Sequence, residues 1–218
     1  MIYDVLQKAK KAFKKDTQRT YEIVVVNDGS PDNTSQEARR AGVTVIDHIL
    51  NSGAGGATAT GLRYAYQQNA DFAATMDADG QHAPEDVIRG IATIATSNTD
   101  LLIGSRLIDS TGMSKVKRLG NWGLSTITYL LFGIKSTDSQ SGLRVFSQKA
   151  LTQLEWKARG YEFCSEMLWR AHQIGLTIDE YPIQAIYTEY SKGKGQSNWN
   201  AINIVRTLLA RRLSEIFR

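Results

Sequence analysis

Apolar and polar positions follow two periods in the first half of the chain, which predict strands and helices in turn. Short β-branched and apolar runs are typical of strands covered on both faces. The longer segments between them have the apolar spacing of helices. This alternation predicts an α/β domain with a parallel sheet flanked by helices. The predicted strands are Tyr21–Val26, Val43–Ile46, Asp71–Met76 and Leu101–Gly104, and the predicted helices are Val5–Phe13, a segment ending at Arg40, Ala57–Gln68 and Pro84–Ala95.

The pattern changes after Arg106. Two further helices, Trp122–Phe132 and Tyr161–Ile174, and a short strand, Thr177–Pro182, are predicted between polar loops. Near the end of the chain an apolar stripe flanked by arginines predicts an amphipathic helix. It either docks on its own domain or contacts a membrane surface or another subunit. We therefore expect one domain over residues 1–190, followed by a basic loop and an amphipathic helix over residues 191–218.

Composition narrows the class of protein. A length of 218 residues suggests one domain with a substantial core. Its single cysteine cannot form an internal disulfide, and no Cys/His cluster indicates structural zinc. Neither a signal peptide nor an apolar run long enough to span a bilayer is expected. The net charge is +4, and basic residues are concentrated after residue 191, a pattern that favours phosphate-bearing partners.

The most informative chemistry lies in the run from Thr75 to His82. Asp77 and Asp79 follow a predicted strand, and alternate residues of a strand point the same way. Two such carboxylates can share a hard divalent cation whose other positions are filled by waters and phosphate oxygens. Gly80 allows the backbone to turn sharply. The alternative interpretation is an acidic turn without a ligand, because Asp and Gly favour turns in any protein.

Several polar residues follow predicted strands, at the sheet edge where ligands of parallel α/β sheets bind. Their convergence predicts one ligand site at that edge. The residues concerned are Asp28, Asp77, Asp79, Ser105 and Arg106.

Six segments, in order along the chain, resemble the family 2 glycosyltransferases of GT-A fold. The resemblance is strongest to dolichol-phosphate mannose synthases and bacterial polyprenyl-phosphate glycosyltransferases. It covers residues 20–190. The segments are VVVNDGSPDNT from Val24, NSGAGGATATG from Asn51, MDADGQHAP from Met76, LIGSR from Leu102, TDSQSGLRVF from Thr137 and GYEFCSEML from Gly160.

The resemblance implies a role for each matching residue. Asp77 and Asp79, with Gln81, would hold Mg²⁺ or Mn²⁺ against the diphosphate of a nucleotide sugar. Asp28 would contact the nucleobase or ribose. The remaining donor-binding candidates are Ser105, Arg106 and Lys194, and the acceptor-binding candidates are Arg118 and Arg144.

Three acidic residues are the catalytic candidates. Asp79 would act through the metal, whereas Asp138 and Glu166 matter if the acceptor is a hydroxyl, which needs a general base. A lipid phosphate acceptor is already a nucleophile and needs none. Turn formation for Asp28 and surface salt bridges for the arginines are the structural alternatives.

The resemblance implies an enzyme that transfers a sugar, with inversion, from a UDP- or GDP-linked donor to polyprenyl phosphate. We expect it to act peripherally on the inner face of the cell membrane, with a membrane protein or a second copy as a possible partner and no nucleic acid. Transfer to a sugar hydroxyl of a glycan is one alternative. A non-catalytic protein that binds nucleotide sugars is another.

One family element does not match. Family members begin with a strand near the sheet centre, whereas this sequence begins with the predicted helix Val5–Phe13. Loss of a central strand would leave backbone groups of its neighbours unpaired. The sequence therefore represents either a shortened form or a sheet completed in another way.

Overall fold

The computed structural model describes residues 1–109, 115–184 and 186, with the backbone alone at 115–117, 121 and 124. Lys194 and the predicted C-terminal helix lie outside these residues. The described helices are α1 (Ile2–Phe13), α2 (Thr34–Arg40), α3 (Ala54–Gln67), α4 (Pro84–Thr96), α5 (Lys115–Phe132), α6 (Gln148–Gln153) and α7 (Phe163–Gln173). The described strands are β1 (Val24–Asn27), β2 (Thr44–Asp47), β3 (Phe72–Thr75), β4 (Leu101–Ser105), β5 (Arg144–Ser147) and β6 (Ile178–Pro182).

These elements confirm the predicted α/β class and the predicted order of helices and strands up to β4. Two elements of the second half, β5 and α6, were not predicted. Arg144 opens β5, and a charged residue at the start of a four-residue strand hides its apolar pattern. Helix α5 begins at Lys115. The prediction started this helix later, at Trp122, because its first turns are polar and basic and lack an apolar pattern.

The sheet topology brings four segments to one edge. Strands β4 and β6 run parallel, and β5 lies antiparallel between β3 and β4. Because β5 runs in the opposite direction, its first residue lies beside the ends of its neighbours, with Arg144 opposite both Thr75 and Ile103. The segment that precedes β5 therefore reaches the same edge as the residues that follow β3 and β4.

Alternate residues of β4 enter two separate apolar layers. Leu101 and Ile103 pack into the core on the side of α3, α6 and α7, whereas Leu102 packs into the core on the side of α4. All three are at most 1% exposed. This sheet is therefore covered on both faces, as its apolar strands predicted.

Strands β1 and β2 form a separate parallel pair. Within the described residues, β1 has no hydrogen-bonded neighbour other than β2, and β3 has none other than β5. Helix α1 packs against α2 and α4, and α3 packs against both β1 and β3, so helices connect the two sheets. The described strands therefore form two sheets that are connected by helices.

Candidate functional site

Asp77 and Asp79 lie just beyond the end of β3, in a turn. The prediction that strand alternation aligns them was wrong in detail, because β3 ends at Thr75. The turn itself positions both carboxylates: Gly80 has a positive φ of 77°, and the Gln81 amide donates to Asp79 Oδ1 over 2.9 Å. The predicted pair is therefore at the predicted sheet edge, but on a tight turn.

The Asp77 side chain is 61% exposed, and two neighbouring residues lie against its carboxylate. His82 Nε2 lies 3.5 Å from Asp77 Oδ2, and the backbone of Gly142 packs against the same carboxylate. Desolvation by surrounding protein acts to raise the pKa of Asp77, but His82 and the charges of Arg106 and Arg144 outweigh it and lower the pKa below its usual value. The carboxylate is therefore ionised at neutral pH, as a cation ligand must be.

The residues of this turn fit a hard divalent cation. Asp77, Asp79 and Gln81 offer carboxylate and amide oxygens, the donor type that Mg²⁺ and Mn²⁺ prefer. Over the described part of the chain, no group of three or more acidic, His or Cys side chains could hold a metal. A cation at this turn would therefore need oxygens from the substrate to complete its coordination.

Asp138 and Arg106 form a buried bidentate ion pair beside the turn. Arg106 Nε donates to Oδ2 over 2.6 Å, and Nη2 donates to Oδ1 over 2.9 Å. The Asp138 side chain is completely buried, and its predicted catalytic role stays a prediction. Its carboxylate orients Arg106, whose side chain keeps 19% exposure at the sheet edge.

Ser105 is also completely buried. Its hydroxyl lies 2.6 Å from Thr137 Oγ1 and accepts a hydrogen bond from the Leu107 amide. Both contacts are internal, so the predicted direct contact with a donor is not supported. The structure places Ser105 as the residue that closes the turn after β4.

Arg144, a predicted acceptor-binding residue, is 1% exposed in the structure, and that role stays a prediction. Nε donates to the Ser141 carbonyl, Nη2 to the Ser139 carbonyl and Nη1 to the Cys164 carbonyl, over 2.8–3.2 Å. These contacts fix the backbone of the segment that precedes β5.

Glu166 is likewise buried, at 2% exposure. Its two carboxylate oxygens accept hydrogen bonds from the amides of Lys157 and Ala158, each over 2.9 Å. These contacts stabilise the loop before α7. The carboxylate is enclosed and bound to these amides, and the role of Glu166 as a general base stays a prediction.

Asp28 lies after β1, at the edge of the second sheet. Its carboxylate accepts from the Ser52 and Gly53 amides over 2.8 and 2.7 Å, and it contacts the Ser52 hydroxyl and His48 Nδ1 at 2.7 Å. Burial acts to raise the pKa of Asp28, but these hydrogen bonds outweigh it and lower the pKa. Asp28 thus holds the start of the glycine-rich loop, and its contact with a nucleobase stays a prediction.

A cavity of about 980 Å³ opens beside α5, lined also by Leu107 after β4 and by Glu180 of β6. Arg118 lines it together with apolar and aromatic side chains of the same helix. Leu119 is 67% exposed and Trp122 is 61% exposed, which is unusual for large apolar residues. Sequence reasoning placed Trp122 in an apolar helix, and the structure shows this side chain exposed.

No helix among the described residues has the length and apolar character needed to cross a bilayer.

Comparisons with known proteins agree with this geometry. The chain is 42% identical to an uncharacterized protein of Methanocaldococcus jannaschii, over 98% of this chain and 87% of the relative. It is 41% identical to the UDP-N-acetylglucosamine–dolichyl-phosphate N-acetylglucosaminyltransferase of Methanococcus voltae, over 89% and 86%. It is 29% identical to the undecaprenyl-phosphate mannosyltransferase of Micrococcus luteus, over 91% and 86%.

The fold also matches a solved structure, glucosyl-3-phosphoglycerate synthase from Mycobacterium tuberculosis. The TM-score is 0.70 at 18% identity, over 97% of this chain and 75% of that one. This likeness establishes the GT-A fold. The profile of Glycosyl transferase family 2 matches residues 2–154. The chain therefore belongs to the family 2 glycosyltransferases.

Proposed function

We propose that this glycosyltransferase moves a sugar from a UDP- or GDP-linked donor to polyprenyl phosphate, with inversion and with a divalent cation. The main support for this proposal is the turn of Asp77 and Asp79, which holds an ionised carboxylate at the sheet edge beside Arg106. The names of two relatives, a dolichyl-phosphate and an undecaprenyl-phosphate sugar transferase, support the acceptor class.

The residues around the turn have distinct roles in this reaction. Asp77, Asp79 and Gln81 would hold Mg²⁺ or Mn²⁺, which stabilises negative charge on the departing nucleoside diphosphate. Related GT-A structures with Mn²⁺ and UDP-glucose support a metal of this kind. Arg106, oriented by Asp138, would add positive charge on the same side of the donor.

The state of the two predicted bases supports a phosphate acceptor. A sugar hydroxyl must lose a proton during transfer, which requires a general base within hydrogen-bond reach. Asp138 is paired with Arg106, and Glu166 is bound to backbone amides, so neither carboxylate is placed to take that proton. A phosphate monoester is already an anionic nucleophile. Its attack in a single in-line displacement inverts the anomeric carbon.

The cavity beside α5 is our candidate for the acceptor. Arg118 supplies a guanidinium for the phosphate, and Leu119 and Trp122 supply apolar surface for the first isoprenoid units. Exposed Leu, Trp and Tyr side chains next to basic residues also suit the interface of an anionic bilayer. We therefore place α5 toward the inner face of the cell membrane.

A donor panel tests the proposal. Purified protein is incubated with UDP- and GDP-linked sugars, Mn²⁺ or Mg²⁺, and either undecaprenyl phosphate or an oligosaccharide. We expect a lipid-linked sugar product that disappears with EDTA and in Asp79→Asn protein. Product on the oligosaccharide alone would favour the glycan alternative. Nucleotide-sugar binding in calorimetry without any product would favour a non-catalytic protein, and either result would contradict the proposal.

A further inference from the structure

We propose that His82 and Gly142 are positioning residues that set the orientation of the Asp77 carboxylate for a cation. This inference rests on the proposed function, because it concerns the same metal site. Neither residue would touch the donor or the acceptor. Each instead contacts Asp77: His82 through Nε2, at 3.5 Å from Oδ2, and Gly142 through its backbone.

His82 has an unusual environment for an imidazole. Its side chain is 2% exposed, and Nδ1 has no hydrogen-bond partner within the described residues. The Nε2 atom contacts Asp77, and His82 also interacts electrostatically with the buried Asp86. Because buried polar groups are nearly always satisfied, the Nε2 contact with Asp77 supports a positioning role for this ring.

Gly142 acts through its lack of a side chain. A Cβ atom added at this position would lie 2.6 Å from both Cγ and Oδ1 of Asp77, well inside contact distance. Any larger residue would therefore displace the carboxylate. The close approach is possible only because the glycine backbone forms one wall of the space that Asp77 occupies.

The Gly142 backbone cannot easily move away. Its carbonyl accepts a hydrogen bond from Thr75 Oγ1 over 2.9 Å, and the next carbonyl, that of Leu143, accepts from the Gly104 amide over 2.9 Å. The buried Arg144 guanidinium holds the carbonyls of Ser139 and Ser141. A side chain at position 142 would therefore move Asp77 and not the backbone.

Orientation matters because Asp77 is exposed. A solvent-facing carboxylate samples several rotamers, and fixing one of them costs free energy when a ligand binds. His82 and Gly142 restrict those rotamers before the cation arrives. Groups that orient a metal ligand commonly change metal affinity strongly when they are replaced.

The test measures Mn²⁺ affinity by electron paramagnetic resonance. The sample contains UDP or GDP, whichever matches the donor identified by the donor panel. His82→Leu removes the Nε2 contact, and Gly142→Ala adds the colliding methyl group. We expect each to weaken Mn²⁺ binding by about tenfold to a hundredfold. His82→Gln, whose amide nitrogen can replace Nε2, should retain most of the affinity. Gly61→Ala is the matched control, because an added Cβ there meets Val26 at an ordinary 3.5 Å.

A second measurement separates positioning from general damage. Nucleoside diphosphate binding in EDTA should be the same in wild type, His82→Leu and Gly142→Ala protein, because the metal-independent contacts are untouched. An equal loss of nucleoside diphosphate affinity with and without Mn²⁺ in the two variants would overturn the inference. Wild-type Mn²⁺ affinity in both variants would also overturn it and leave the proposed function intact. Absence of Mn²⁺ binding by the wild type itself would overturn both.

Discussion

Asp77 and Asp138 approach the same edge of the four-stranded sheet, one after β3 and the other before β5. The Asp77 side chain is 61% exposed, and His82 Nε2 lies 3.5 Å from its Oδ2 atom. The Asp138 side chain is fully buried and shares both oxygens with Arg106. The Asp77 carboxylate therefore has lone pairs available for a ligand, whereas the Asp138 carboxylate uses its lone pairs to hold Arg106. Residue type and location at the edge do not separate these roles, whereas exposure and partners do.

The largest expected effect is the loss of turnover when the exposed pair is neutralised. Asp77→Asn and Asp79→Asn should each lower kcat/KM by on the order of 10³-fold, because charge on the leaving diphosphate loses its cation. Stability should change little, since neither side chain is buried. Steady-state assays with matched urea unfolding curves check both points. Full activity in both variants would contradict the site assignment.

Asp138→Asn should lower stability, unlike replacement of the exposed pair. It leaves the Arg106 guanidinium beside a neutral amide in a buried place, which costs about 3 kcal/mol in the free energy of unfolding. Urea unfolding measures this loss. Equal stability of Asp138→Asn and wild-type protein would show that the Asp138–Arg106 ion pair does not stabilise the fold.

Glu166→Gln sharpens the same contrast in the second buried carboxylate. The amide group of glutamine would face a backbone N–H of Lys157 or Ala158, which costs about 2 kcal/mol of stability. Turnover per folded molecule should stay near that of the wild type, because no base is needed. A loss of kcat by several orders of magnitude in folded protein would instead support transfer to a hydroxyl.

Asp28 provides the smallest and pH-dependent effect. Its folded pKa lies below the ordinary value of 3.8, so its hydrogen bonds contribute their full stability above about pH 4. That contribution declines as the pH falls through the folded pKa. Asp28→Asn should therefore cost about 1 kcal/mol at pH 7 and less at pH 3. Unfolding curves at the two pH values check the sign, and a difference that grows at low pH would refute it.

Local sequence was a good guide where the interactions are local. The Asp77–Gly80 turn follows an apolar strand directly, and Asp79 is capped by an amide two residues away. The strands of the first half are short apolar runs, so their existence and order were predictable. That Asp77 and Arg106 follow the ends of β3 and β4 was also predictable from the order of the elements.

Sequence failed where partners are distant along the chain. Arg106 and Asp138 are 32 positions apart, and Arg144 reaches a carbonyl 20 positions away. No local pattern indicates that these charged residues are buried. No sequence pattern indicated the role of Gly142, because that role depends on the side chain of Asp77, which follows β3.

The sequence by itself determined the α/β class, the order of the first strands and helices, and the turn that carries Asp77 and Asp79. These follow from periodicity and turn chemistry, which act over a few residues. Only the tertiary structure decided which charged side chains remain accessible. The antiparallel insertion of β5 brings residues 138–142 to the edge where β3 ends. Burial there makes pairing obligatory for Asp138, because an unpaired charge in the interior is too costly, while Asp77 on the open turn keeps its capacity to bind.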